Sequence, residues 1–288
     1  MKNQRREADT MLPETKGLIA KESTFLKGEL GVITRQDYRK GDVLFIEHHL
    51  AHAASAFLVS PYDEAAILTI DGVGEWATAS YGYGKGNEIT LLKELRFPNS
   101  VGLLYSTVTA YLGFRVNDAE YKVMGLAPYG KPNYYDKFKK IVDIKEDGSI
   151  EFDMSYFDFH YKLTMPSKKF IEEFGQVRNP KEDITQKHKD IAASLQKITE
   201  NIIFKMLNHL HNETKIKNLC MGGGVALNSV ANGKITRHTP FRNVWVQPAA
   251  SDAGTSLGAA AYICNVILGN KRKYVMKSAY LGPSFSTE

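Results

Sequence analysis

The chain has 288 residues, 43% hydrophobic and 24% charged, with 37 basic against 32 acidic side chains and a net charge of +5. That composition is ordinary for a globular chain of one large domain or two smaller ones. The small, dispersed basic excess gives no nucleic-acid stripe, although it suits an anionic small molecule. No apolar run approaches the ~20 residues of a membrane span. The N-terminus, MKNQRREADTMLPE, lacks an apolar signal core, so the expectation is a cytoplasmic protein with no membrane or nucleic-acid partner. Cys220 and Cys264 both sit in apolar stretches and read as reduced, buried core residues.

The first forty residues read as one helix and a polar connection, and Asp42–Glu47 as a short strand leading into HHLAHAASAF (48–57). In that segment Leu50, Ala53, Ala54 and Phe57 recur at helical spacing. Three strands follow, Ala65–Ile70, Ala77–Tyr83 and Glu88–Arg96, as an antiparallel meander whose second turn is longer than a tight hairpin. Ser100–Leu112 reads as a helix. Residues 119–138 combine a short helical pattern with Gly125, Pro128, Gly130 and Pro132 into a Gly/Pro-punctuated loop. Residues 141–180 are an excursion with two short strands around Asp147–Gly148, decorating the core. His188–Leu210 is a long amphipathic helix. Then come a strand at Asn218–Met221, the turn Gly222–Gly224 and a helix at Val225–Lys234. A strand at Asn243–Gln247 and a small-residue helix at Ser251–Leu268 complete an α/β pattern.

Two groups of residues point to chemistry. His48 and His52 lie four apart, on one face of their helix, while His49 points elsewhere. Asp71 ends the apolar strand 65–70. Two imidazoles and a carboxylate suit a borderline divalent ion such as Fe(II), Mn(II) or Zn(II), whereas a His pair lacking a third ligand is commonly a surface or capping pair. The second group is MGGGVALN (221–228), a strand, three glycines and a helix start, which lets a backbone approach a ligand and offers N–H groups to an anion. PAASDAGTSLGAA (248–260) is a second strand-to-helix entry. Its Asp252 serves either as an N-cap or as a fourth metal ligand. Lys122 and Lys131 in the punctuated loop suit contact with a phosphate, or belong to an ordinary connection.

Taken together, HHLAHAASAF, LTIDGVGEWATAS, EYKVMGLAPYGKP, CMGGGVALN and PAASDAGTSLGAA resemble the nodulation-type O-carbamoyltransferases, in order from about Phe45 to Pro283. The resemblance implies an actin-like ATPase fold of duplicated RNase H-like halves, similar to the tRNA threonylcarbamoyl-adenosine transferase. It implies iron, or a similar divalent metal, held by His48, His52, Asp71 and Asp252. It also implies a nucleotide loop at Gly222, Gly223, Gly224 and Asn228, with Lys122 nearby. In such enzymes a YrdC-like domain makes carbamoyl adenylate from ATP and carbamoyl phosphate. The actin-like domain then passes the carbamoyl group to a hydroxyl of a sugar, antibiotic or similar small molecule. His49 is the histidine left to help deprotonate that hydroxyl.

Against that pattern the family's opening strands and its YrdC-like domain are missing. The expectation is therefore a truncated first half (1–64, carrying the histidine helix), a second half (65–288) with the excursion inserted, and no activity without a YrdC-like partner. The alternatives are a non-catalytic nucleotide- and metal-binding fragment and a tRNA threonylcarbamoyl transferase; the strand motif LTIDGVGEWATAS favours the small-molecule family.

Overall fold

A computed structural model describes residues 44–281, 283, 285 and 286. By contacts the chain divides into Met1–Phe45 and Ile46–Glu288, and the second unit is the one described below. The helix expected in the first forty residues lies outside the described residues. Of the strand expected at Asp42–Glu47, the described part, from Leu44, has no regular structure.

The central sheet has five strands in the order β3-β2-β1-β6-β7. They are β1 (Glu64–Gly74), β2 (Ala77–Lys85), β3 (Glu88–Arg96), β6 (Asn218–Gly222) and β7 (Asn243–Val246). β2 runs antiparallel to both neighbours, while β1, β6 and β7 are parallel. Helices cover both faces, which is why β1 carries a continuous buried run, Ala65–Ile70, rather than a half-buried alternation. Ala65 and Ile67 face the helix α1 (His48–Phe57) and share its cluster with Cys220; Ala66, Leu68 and Ile70 face the larger core on the other side.

That larger core is built on α2 (Val101–Tyr111), α3 (Glu120–Leu126), α4 (Tyr135–Ile141), α5 (Lys168–Phe174) and the 29-residue α6 (Gln186–Thr214). Ser100 caps α2, its Oγ accepting the Leu103 N–H at 3.0 Å. A capping box between Thr185 and His188 starts α6, and Lys215, in the left-handed region, ends it. A small second sheet pairs β4 (Val142–Ile144) with β5 (Ile150–Phe152) around the expected turn at Asp147–Gly148. The excursion is more than decoration: Phe152, Phe157, Phe170 and Phe174 are buried in the main core.

Several local expectations are corrected. The β2–β3 connection is a tight two-residue hairpin, because Gly86 has positive φ and Lys85 pairs with Glu88. Residues 119–138 are mostly helical. Pro128 lies at the start of a 3₁₀ turn (Ala127–Tyr129), where a missing N–H costs nothing, so it extends α3 rather than breaking the chain into loop. Asp190 then pins the following turn, accepting from Lys131 N–H at 2.9 Å and from the Asn133 and Gln186 side chains at 2.8 Å each. The Lys131 N–H leads in holding this carboxyl below the usual range. Asp190→Ala is expected to cost about 3 kcal/mol, read by urea denaturation, because three charge-assisted hydrogen bonds go with the carboxylate.

Val225–Lys234 is not one helix. It is a 3₁₀ turn (Gly224–Leu227) followed by the four-residue helix α7 (Ser229–Asn232). Another four-residue helix, α8 (Ile235–His238), precedes β7. Ser251–Leu268 divides into a 3₁₀ turn (Asp252–Gly254), α9 (Thr255–Ala261) and a π-helical stretch (Tyr262–Ile267).

The two cysteines differ. Cys220 is buried as expected and Cys264 is exposed. Burial pushes the Cys220 thiol up to about 12. A thiol reagent at pH 8 should therefore titrate Cys264 in the native protein and Cys220 only after unfolding; fast native reaction of both would contradict the packing of the α1 face.

Candidate metal centre at the strand ends

The histidine helix α1 packs on β1 and β6. Its alanines Ala53, Ala54 and Ala56 and its Phe57 are buried there, with Gly84 leaving room for the Phe57 ring. This seats the N-terminal turn of α1 over the C-terminal end of β1, the end of a parallel sheet where loops converge to form crevices.

Four side chains from three segments meet at that point. Asp71 Oδ2 lies 3.0 Å from His48 Nε2 and 3.2 Å from His52 Nε2. The two Nε2 atoms are 3.0 Å apart. Asp252 Oδ1, across the crevice, is 3.5 Å from both. All four ligand atoms fall within 4.8 Å of one another. Two ligands about 2.1 Å from one ion, subtending roughly 90–110°, lie roughly 3.0–3.4 Å apart, so the spacing and the two-nitrogen, two-oxygen donor set fit a single divalent ion.

Neighbouring backbone holds the donors in place. Gly224 N–H donates to Asp71 Oδ1 at 3.0 Å, which leaves Oδ2 for the histidines. Gly74 is required as glycine, since a Cβ there would sit 1.9 Å from His48 Cδ2. The Ser100 hydroxyl donates to the Gly72 carbonyl at 2.5 Å, with the Asp71 carbonyl alongside at 3.2 Å, tying α2 to the same end of β1. Burial works to raise the Asp71 pKa, but hydrogen bonds from His48, His52 and the Gly72 N–H outweigh it and hold the carboxylate ionised. The hydrogen bond with Asp71 in turn raises the His48 pKa. His52 Nδ1 is buried without a hydrogen-bond partner.

The other expected site residues are placed differently. Asp252 makes no capping hydrogen bond and is not the N-cap of α9. Its side chain is 76% exposed, on the open side of the cluster. His49 is fully buried and turned into the sheet. Its Nε2 donates to the Ala77 carbonyl at 3.0 Å, so Nδ1 is the acceptor and takes the Thr69 hydroxyl at 2.7 Å. Burial lowers its pKa to about 4. No ring nitrogen of His49 remains for a substrate hydroxyl.

Of the nucleotide residues, Gly222, Gly223 and Gly224 do form the turn after β6. The N–H groups of Gly224, Ala226 and Asn228 are bonded to Asp71, Gly223 and Val225. The Asn228 side chain points inward. It exchanges hydrogen bonds with Gln196 at 2.9 and 3.0 Å and caps α7 through the Ala231 N–H at 3.0 Å. Lys122 is exposed on α3, beside the Tyr121 ring. Gly74 and Ser100 escaped sequence reasoning. The signal for Gly74 was its place in the Gly-Val-Gly stretch after Asp71, which the glycines mark as a turn but which forms the end of β1; Ser100 offered none beyond its helix cap.

With this geometry in hand, the class of protein is defined. The chain belongs to the carbamoyltransferase family: the domain described as Carbamoyltransferase N-terminus matches residues 8–261. An uncharacterised protein of Synechocystis sp. is 50% identical over 252 residues, 85% of this chain and 41% of that protein. Nodulation protein NolNO of Sinorhizobium fredii is 39% identical over 247 residues, covering 85% of this chain and 35% of that protein. Nodulation protein NolO of Bradyrhizobium diazoefficiens is 35% identical over 244 residues, covering 84% and 42%. The chain thus spans about two fifths of the length of these relatives. Among solved structures, HypF of T. kodakarensis aligns with a TM-score of 0.40 at 13% identity, over 86% of this chain and 39% of that one. Among the described residues no helix is long and apolar enough to cross a membrane.

Proposed function

We propose that this chain carries the transfer site of an O-carbamoyltransferase, which moves a carbamoyl group from carbamoyl adenylate to a hydroxyl of a small molecule. The observation that carries the reading is the convergence of His48, His52, Asp71 and Asp252 at the C-terminal ends of parallel strands, in a chain of the carbamoyltransferase family. We also read the five-stranded sheet, with β2 alone reversed, as one RNase H-like half of an actin-like domain.

In the proposed reaction the acceptor oxygen attacks the carbamoyl carbon, the bond from that carbon to the phosphate oxygen breaks, AMP leaves and the hydroxyl proton is released. A divalent ion such as Fe(II), when bound by the four residues, supplies Lewis-acid polarisation of the carbamoyl carbonyl. The chain's own contribution is positional. Asp71, its Oδ1 fixed by the Gly224 N–H, presents Oδ2 to the point where the two imidazoles converge. The exposed Asp252 closes the set from the open side, where donor and acceptor enter. His49, neutral and enclosed, locks α1 to β1 and β2 instead of moving the proton.

ATP and carbamoyl phosphate enter this scheme through a YrdC-like domain that makes the adenylate. The test is to combine the chain with such a domain, ATP, ¹³C-carbamoyl phosphate and a panel of sugar and aminoglycoside acceptors, and to look for labelled product by mass spectrometry. Product that is lost in Asp252→Ala is expected. Product of equal yield without the chain, or with Asp252→Ala, would contradict the assignment.

A further inference from the structure

The helix α1 supplies two of the four clustered ligands, His48 and His52, yet its own sequence does little to hold it in place. Glu47, at its N-cap, makes no side-chain capping bond, its first turn has no acidic residue and its last turn no basic one. The C-terminal end of a helix leaves backbone carbonyls without intrahelical partners. Here they are met by Arg272, 214 positions beyond Leu58. Its Nε donates to the Leu58 carbonyl at 3.1 Å, and its Nη2 to the carbonyls of Phe57 at 2.9 Å and Ser60 at 3.1 Å. Nη1 donates to the Gly86 carbonyl, in the β2–β3 hairpin, at 3.0 Å. The guanidinium also lies over the Phe57 ring, 4.4 Å from its centre.

The segment that carries Arg272 is fixed on both sides of it. Asn87 Nδ2 donates to the Asn265 carbonyl at 2.7 Å and to the Asn270 carbonyl at 2.8 Å. Met276 is buried, and its N–H donates to the Val59 carbonyl at 2.9 Å. The helix α9 packs so closely on α1 that a Cβ on Gly258 would sit 1.9 Å from the Ala51 carbonyl oxygen. That helix follows directly on the 3₁₀ turn that carries Asp252. So α1, α9 and residues 270–276 are packed together and bring His48, His52 and Asp252 to the cluster, while Asp71 comes from the sheet.

We propose that Arg272 is a positioning residue of the metal centre, setting the tilt of α1 from its C-terminal end and thereby the place of the two histidines. The inference rests on the metal-centre reading and adds a residue outside the 8–261 matched to the family domain. A short helix held at one end acts as a lever. His48 lies about 14 Å from Phe57 at a rise of ~1.5 Å per residue. A tilt of about 5° would carry it about 1 Å, beyond the roughly 0.5 Å within which such a constellation must be held. Arginine suits the task, because its planar fork reaches four carbonyls at once, whereas a lysine ammonium has three donors on a flexible stem. Its charge also complements the negative end of the helix.

The experiment measures Co(II) affinity, by competition with a chromophoric chelator, and the visible bands of bound Co(II), which report the geometry of its ligands. The proteins are wild type, Arg272→Ala, Arg272→Lys and Arg178→Ala. Arg178 is the control for lost stability alone: it is also buried, and it donates to the carbonyls of Leu112, Asn179, Pro180 and Glu182, away from α1. Arg272→Ala should weaken Co(II) binding by about ten-fold or more, the scale on which residues that orient metal ligands act, and should alter the bands. Arg272→Lys should fall between it and wild type. Arg178→Ala should melt at a lower temperature and keep the wild-type affinity and bands. If Arg272→Ala does not fold, Arg272→Lys decides: weakened affinity with altered bands supports the role, and wild-type values overturn it. Equal loss of affinity in Arg178→Ala and the Arg272 variants would also overturn it, while Co(II) binding by wild type leaves the metal centre standing. No Co(II) binding by wild type would overturn the metal centre itself, and the role of Arg272 with it.

Discussion

Protein purified anaerobically, with any affinity tag removed, is expected to carry about one transition-metal ion per chain, and His52→Ala almost none. His52 is fully buried and its Nε2 lies within 3.2 Å of the Asp71 carboxylate, so no neighbouring side chain can replace it. Loss of a residue that merely orients a ligand costs 10–100-fold in metal affinity on the usual scale, and loss of the ligand itself costs more. The same variant gives a stability signature. Metal that binds only the folded chain adds about 2.7 kcal/mol at a free concentration one hundred times Kd. A chelator should therefore lower the wild-type melting temperature and leave that of His52→Ala unmoved. Equal metal content in the two proteins would rule out the cluster as the site.

The second large effect is expected at Gly223. Its φ is +86°, and a Cβ there would fall 2.2 Å from the Ile70 carbonyl oxygen at the end of β1. Gly223→Val combines a conformation hostile to side chains, about 1–2 kcal/mol, with overpacking against backbone that cannot yield, about 1–3 kcal/mol or more. Their sum, about 2–5 kcal/mol, is a large share of the total stability of a domain. The variant should lose much of its urea midpoint or fail to fold. The turn also carries the N–H that fixes Asp71, so any folded fraction should bind metal poorly. Gly72→Ala is the control: nothing lies within 4 Å of its added methyl, and its effect should stay within about 0.5 kcal/mol. Similar losses in both variants would show that the turn is not held as described.

The centre was legible in part because its physics is local. Helical spacing put His48 and His52 on one face, and a carboxylate following a buried run put Asp71 toward the C-terminal end of β1, the middle strand of the sheet. Asp252, far along the chain, joined them only through the strand–loop–helix pattern around it and the family resemblance. His49 was read as the free histidine because helical phase shows only that it points away from its neighbours. What it points at, the Thr69 hydroxyl and the Ala77 carbonyl, depends on the pairing of β1 with β2.

Asn228 was similarly assigned to a ligand because its partner Gln196 lies on another element, invisible to spacing. Elsewhere the errors came from punctuation residues. Several glycines near the β2–β3 turn blurred which one turns the chain, and Pro128 looked like a breaker where it starts a 3₁₀ turn. Cys264 was read as buried because its segment is apolar, yet that segment ends at exposed Ile267 and Leu268.

The most direct test of the account is the rate of ¹³C-carbamoyl transfer to a sugar hydroxyl, with the YrdC-like domain supplying the adenylate. It should be measured on chain stripped of metal, on chain restored with Fe(II), and on Asp252→Asn treated in the same way. The account predicts transfer that vanishes on stripping, returns on restoration of the wild type, and fails to return in Asp252→Asn. Transfer that continues at the full rate in stripped chain would contradict it.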